Sequence, residues 1–281
     1  MENITMTTAA GNARGLNLIL LLTFGLMLIE WLYVRLALHD ADSHDLKETT
    51  TSIVTAIGNQ FIRPATSFLV AFPLYFAYQH HLFEIPTNLV MLVILFVLVD
   101  FAEYWFHRAA HRVRFMWASH AVHHSSTRFN LTAAVRLPWT GALSGAVFFF
   151  VPLTLIGFHP LAVTGMALLN LVYQFFLHTE HAPRLGPLEW VLNTPAHHRV
   201  HHASNGSCLD KNFSGVFIIW DRLFGTFAEA PRDEKLRFGL VSPLPSQGLL
   251  TVNFHEWRKL LRDTWRARGL MARLRLLISA P

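Results

Sequence analysis

Residues 89–111 read LVMLVILFVLVDFAEYWFHRAAH, an apolar run with two acids inside it and a histidine pair at its end. Taken as residues 86–105, the run meets the need for about 20 largely apolar residues in a helix that crosses the hydrocarbon core. His107 and His111 follow four positions apart, on one helical face, where such a helix would leave the bilayer. The reading is therefore a membrane span that delivers two imidazoles to an interface.

The rest of the chain agrees with a membrane setting. Of 281 residues, 52% are hydrophobic and 15% charged, well short of the roughly 25% charge of soluble chains. A net charge of +5 alongside 23 Phe and 8 Trp gives no basis for nucleic-acid binding or disorder. The single cysteine, Cys208, excludes an internal disulfide, an iron–sulfur cluster and a cysteine-built zinc site.

Further spans are expected at residues 16–37, 64–81, 138–157 and 160–179, the last two joined by the breaker cluster Gly157-Phe158-His159-Pro160. The first is too long for a removed signal peptide and lacks a small-residue cleavage site, so it reads as an anchor. Residues 38–63 read as an exposed polar loop with a short amphipathic piece. The expectation is an all-α, multi-pass integral membrane protein of four to five transmembrane helices with a helical cap. Its divisions would be anchor helices at 1–85, a catalytic domain at 86–230 and a basic segment at 231–281. An outside N-terminus puts Arg35, Lys47, Arg63, Arg108, Arg112, Arg114, Arg128 and Arg136 on the cytosolic side with only Arg14 outside, so the cap is placed in the cytosol.

The chain holds 17 histidines. His107 and His111; His120, His123 and His124; His178 and His181; and His197, His198, His201 and His202 all fall near one interface on this map. His-x-x-His-His places three rings on one helical face, and it occurs twice, at 120–124 and at 198–202. A lone pair four apart is usually an interfacial surface, but four converging groups point to a metal site. His197 lies outside the repeated spacing. Ten or so imidazoles exceed one tetrahedral zinc site by more than twofold, so two metals fit better. Zinc has no redox chemistry and a pair of irons does, although ligand number alone does not choose iron.

These motifs, in this order and around a membrane hairpin, resemble the membrane fatty acid hydroxylase and sterol desaturase family from about Asp100 to Phe227. The stretches Asp210-Lys211-Asn212-Phe213 and Trp220-Asp221-Arg222-Leu223-Phe224-Gly225-Thr226-Phe227 look closest to its alkylglycerol monooxygenase-like branch. Ser214 stands where many relatives have Gly after the Asn-aromatic motif. The resemblance implies a non-haem enzyme with two iron ions, oxidising a lipid with O2 near the cytosolic interface. It implies ligands at His107, His111, His120, His123, His124, His198, His201 and His202, with His178 and His181 filling the intermediate histidine position.

Ligating histidines generally donate their second ring nitrogen to a carboxylate or carbonyl. Asp100, Glu103, Asn212 and Asp221, with His197, are the candidates for such supporting or additional roles. Glu103 precedes His107 by four residues on the same face. It reads equally as an interfacial carboxylate that snorkels to water.

No dinucleotide fingerprint or iron–sulfur cysteines are visible, so electrons would come from a donor protein or, by the resemblance, a reduced pterin. Hydroxylation and desaturation share the first hydrogen abstraction, and the motifs do not separate them. A histidine-based metal carrier is the alternative from another class, but it would need ligands reachable from both sides. A zinc hydrolase would need the His-Glu-x-x-His pattern. Residues 254–278 carry Arg258, Lys259, Arg262, Arg266, Arg268, Arg273 and Arg275 among Leu and Trp, against only Glu256 and Asp263. They suit an anionic lipid surface, or a solvated helix that closes the domain.

Overall fold

The structure, a computed structural model, describes residues 21–40 and 42–281. Two compact units divide it, Met1–Asp45 and Leu46–Pro281. In the first, residues 21–36 are helical, and His44 lies 3.8 Å from the Glu30 carboxylate. The opening of the expected first span, residues 16–20, and the Arg14 of the charge argument lie outside the described residues.

The second unit is helical, with no strand among the described residues beyond isolated bridges at Leu192–Phe217 and Ala203–Phe238. Its helices are α1 (Leu46–Thr66), α2 (Phe68–Tyr78), α3 (Leu89–Arg112), α4 (Arg114–His124) and α5 (Leu131–Ala134). After these come α6 (Val151–Ile156), α7 (Pro160–Phe175), α8 (Pro195–His202), α9 (Ile219–Leu223), α10 (Leu249–Arg266) and α11 (Leu270–Ile278).

Among the described residues, α3 alone is long and apolar enough to cross a membrane. Its 24 residues extend about 36 Å, against a hydrocarbon core of about 30 Å. The Asn88 side chain caps its start by accepting from the Met91 N–H at 3.0 Å. Leu95, Val99 and Ala102 pack against Leu153, Phe158 and Val163 to form the core.

The other expected spans are shorter or broken. Residues 64–81 divide between the end of α1 and the eleven-residue α2. Residues 138–157 contain two short 3-10 turns and the six-residue α6 instead of a continuous helix, with Pro138, Gly141, Gly145 and Pro152 interrupting it. The sixteen residues of α7 reach only about 24 Å. The turn before α7 does fall at Gly157, whose φ of +133° and approach to the Phe83 carbonyl leave no room for a Cβ.

Residues 38–63, expected as an exposed loop, are mostly α1, and the polar stripe of that helix faces inward. Glu48, Thr51, Ser52, Thr55 and Asn59 are buried. Polarity misled because the partners are remote in sequence. Arg136, wholly buried, donates from Nε to Ser52 at 3.0 Å and from Nη2 to the Glu48 carbonyl at 3.0 Å. The Glu48 carboxylate accepts from Ser126 at 2.8 Å and from the Thr127 amide at 2.9 Å. Pairing of these buried groups offsets the cost of desolvating them.

Candidate metal centre

Three helices bring the rings together. α3 ends by presenting His107 and His111. Val113, extended at φ −112°, turns the chain into α4, which carries His120, His123 and His124. α8 starts with Pro195 in its first turn and carries His198, His201 and His202. His178 comes from just beyond the end of α7.

The nine side chains form two groups. His107, His111, His120, His124 and His201 make one; His123, His178, His198 and His202 make the other. Within each group, one nitrogen per residue lies within 4.8 Å of all the others. His124 joins the two, since its ring stacks on His202 with centroids 4.2 Å apart.

Hydrogen bonds at the opposite edge fix several tautomers. His107 Nδ1 meets the Phe213 carbonyl at 2.7 Å, His178 Nδ1 the Gln174 carbonyl at 2.8 Å, and His201 Nδ1 the Lys211 carbonyl at 2.9 Å. A carbonyl only accepts, so each Nδ1 carries the proton and each Nε2 keeps its lone pair. Burial first, and neighbouring imidazoles second, hold His120, His124, His198, His201 and His202 well below the usual imidazole range. His123 is lowered in the same way. Neutral rings with inward lone pairs are the form that binds metal.

The packing of those nitrogens tests the fit. His124 Nε2 lies 3.1 Å from the Nε2 atoms of His111, His120 and His201, and one N–H cannot serve three neighbours. In the other group, the proton-free Nε2 of His178 lies 3.1 Å from both His123 and His198 Nε2. A cation between them resolves the conflict. Metal–imidazole bonds of about 2.1 Å put adjacent nitrogens about 3.0 Å apart at right angles and about 3.4 Å apart in a tetrahedron. The contacts run from 3.0 Å, between His107 and His120, to 3.2 Å, between His198 and His202. They match the right-angled arrangement, and five nitrogens in one group exceed a tetrahedral set. The donor set therefore fits two metal ions.

His181 belongs to neither group. The helix ends at Phe175, so spacing from His178 no longer fixes a shared face. His197 is buried but also outside both groups, its ring edge-on to Phe227 at 5.4 Å and its titration pushed down to about 4 by burial.

The supporting residues act through peptide groups. Asp221 accepts from the amides of Phe213 and Ser214, both at 2.8 Å, and from the Thr226 hydroxyl at 2.6 Å. It thereby holds the carbonyl that orients His107. Asn212, at φ +54°, bonds the His197 and Ala228 carbonyls. Asp210 and Asn212 both adopt left-handed backbone, so the segment 210–213 offers the Lys211 and Phe213 carbonyls to His201 and His107. Sequence reasoning missed this carbonyl platform; Asp and Asn, among the non-glycine residues most tolerant of that conformation, were its signal.

Asp100 accepts four hydrogen bonds, none from a histidine: Val216 and Phe217 amides, Trp220 Nε1 and Asn170 Nδ2. It fastens the loop after Ser214 to α3. Glu103 hydrogen-bonds Gln174 and joins neither histidine group.

A cleft of about 380 Å³ opens onto His111 and His124, onto His201, and onto His202 of the second group. Trp117, Leu209, Leu240 and Val241 give it apolar wall, and Asp210, Glu256 and Lys259 give it charge. Asp221→Asn is expected to lower metal affinity by about 10- to 100-fold, the usual cost of a lost supporting partner. Chelator competition on the purified protein reads that loss, and wild-type affinity would refute the role of Asp221.

Helical throughout its described residues, apart from turns and two isolated bridges, and with two largely buried imidazole sets at the end of an apolar helix, the chain belongs to the class of histidine-built candidate metalloproteins. Residues 92–226 match the model of the fatty acid hydroxylase family. It is 43% identical over 186 residues to alkylglycerol monooxygenase of Danio rerio, covering 66% of this chain and 41% of the relative. The Homo sapiens alkylglycerol monooxygenase is 44% identical over 187 residues, with the same coverage. Ornithine lipid hydroxylase OlsE of Rhizobium tropici is 30% identical over 190 residues, 67% of this chain and 56% of the relative. The chain thus spans about two-fifths of the length of the alkylglycerol monooxygenases it matches. No solved structure matches.

Proposed function

We propose that this chain is a membrane-bound, O2-dependent lipid hydroxylase whose nine grouped histidines hold two iron ions. The observation that carries the reading is the pair of imidazole sets, with ring nitrogens facing one another at 3.0 to 3.2 Å. Bound there, iron would supply the redox chemistry that lets dioxygen attack an unactivated carbon–hydrogen bond, which no side chain of the chain provides. The protein keeps nine nitrogens neutral and aimed. It fixes His107, His178 and His201 through backbone carbonyls, and offers an apolar-walled cleft in which a lipid segment is held against both sets.

Hydroxylation is preferred to desaturation because the relatives' names are those of monooxygenases and hydroxylases. Reductant comes from outside the chain, from a donor protein or a reduced pterin. The histidine end of α3 is assigned to the cytosol: Arg108, Arg112 and Arg114 flank it, whereas residues 79–88 at the other end contain no Lys or Arg.

The test is metal analysis of the whole protein combined with lipid mass spectrometry of cells expressing it or His201→Ala. Two irons per chain and an oxygen-dependent product one oxygen heavier, absent with the variant, are expected. A metal-loaded protein that leaves lipids unchanged under aeration would instead indicate a carrier.

A further inference from the structure

We propose that the outer face of α10 and α11 is a docking surface for anionic lipid, set at the depth where α3 leaves the membrane. α10 sorts its charges by side. Arg258, Leu261, Arg262, Trp265 and Arg266 recur at helical spacing and are all exposed, with Trp265 83% exposed. Both acids of the helix are drawn inward or paired. Asp263 binds Arg114, with Arg262 Nε also 3.1 Å away, and Glu256 lines the cleft beside Lys259 at 3.7 Å.

α11 continues the pattern. It has no buried residue, and Leu270, Met271, Leu274 and Ile278 form an exposed apolar stripe flanked by Arg268, Arg273 and Arg275. Among the described residues, no acid lies in salt-bridge contact with Arg258, Arg266, Arg268, Arg273 or Arg275. Leu and Trp interleaved with arginines match a bilayer surface, where rings and aliphatic chains enter the headgroup boundary and guanidinium groups meet lipid phosphates. A water-facing helix has no need of six exposed large apolar side chains.

Depth is set by the end of the span. Two residues past Arg112, the Arg114 guanidinium grips Asp263 of α10, and its amide donates to the Ser279 carbonyl, just beyond α11, at 2.9 Å. The stripe is therefore pinned to the boundary of hydrocarbon and water. The inner side of the same helix borders the cleft that reaches the histidines, so docking would bring the cleft mouth to the lipid. That last consequence rests on the hydroxylase reading; the docking surface does not.

The experiment uses the full chain in lipid nanodiscs, with a fluorophore on Trp265→Cys in a Cys208→Ser background. Quenching by a nitroxide carried on the lipid is compared with quenching by a water-soluble nitroxide. In discs containing phosphatidylserine, lipid quenching is expected to exceed aqueous quenching by about threefold or more, as for a side chain in the headgroup boundary. Replacing Arg258, Arg266 and Arg273 with Gln should lower it, as should discs of phosphatidylcholine alone. Aqueous quenching that dominates in both compositions overturns the proposal. So does protection from both quenchers with energy transfer between two labelled copies, which would make the face a contact between chains. Neither metal nor substrate enters this readout, so its failure is distinct from failure of the hydroxylase reading.

Discussion

Alanine at His124 is expected to remove metal from the five-histidine group and to weaken the other, with the largest loss of activity of any single substitution. His124 Nε2 is the nitrogen with three imidazole neighbours at 3.1 Å, and its ring stacks on His202 of the second group. Losing a supporting partner alone costs about 10- to 100-fold in metal affinity or activity, so losing this nitrogen should cost more. His178→Ala should empty mainly the four-histidine group. His181→Ala, outside both, should keep two metals per chain. Iron per chain by elemental analysis, alongside product formation, checks all three. A His124→Ala protein that retains two tightly held irons would break the two-group assignment.

The contrast between His178 and His181 marks how far spacing alone could reach. On continuous helix, as in 107–111, 120–124 and 198–202, spacing places rings on one face, and all eight histidines of those motifs enter the two groups. Past the end of α7 the periodicity lapses, and only the folded chain separates the two residues. Span length failed for a related reason. The stretch 138–157 is apolar enough to cross, but Pro138, Gly141, Gly145 and Pro152 break its helix, which composition averages over. The buried polar face of α1 was illegible because its partners Arg136 and Gln247 are roughly 90 and 200 residues away. The side chains of Asp100, Glu103, Asn212 and Asp221 were the expected partners of the second ring nitrogens. The three clearest are backbone carbonyls, and a sequence records carbonyls only through turn-forming residues such as Asp210 and Asn212.

Asp100→Ala is expected to have the largest effect on stability. The carboxylate is fully buried in α3 and accepts from Val216 N at 2.7 Å, Phe217 N at 3.0 Å, Trp220 Nε1 at 2.9 Å and Asn170 Nδ2 at 2.7 Å. Gly215 passes so close that a Cβ there would stand 2.6 Å from Asn170 Oδ1 and 2.9 Å from Asp100 Oδ1. Each orphaned buried donor costs about 1–3 kcal/mol. Partial relaxation makes about 3–5 kcal/mol the expected total, comparable to breaking a buried ion pair. For a chain of this size that is a fall in Tm of about 10 °C. Asp100→Asn keeps the shape and one acceptor oxygen but turns an amide N–H₂ toward donors, so its fall should be smaller. The same loop carries Phe213, whose carbonyl orients His107, so Asp100→Ala should also release metal more readily while Asp100→Asn largely keeps it. Thermal unfolding of the purified protein, with metal content followed in parallel, reads both effects. An Asp100→Ala protein that melts with wild type would mean that the loop is held by its packing and not by this carboxylate.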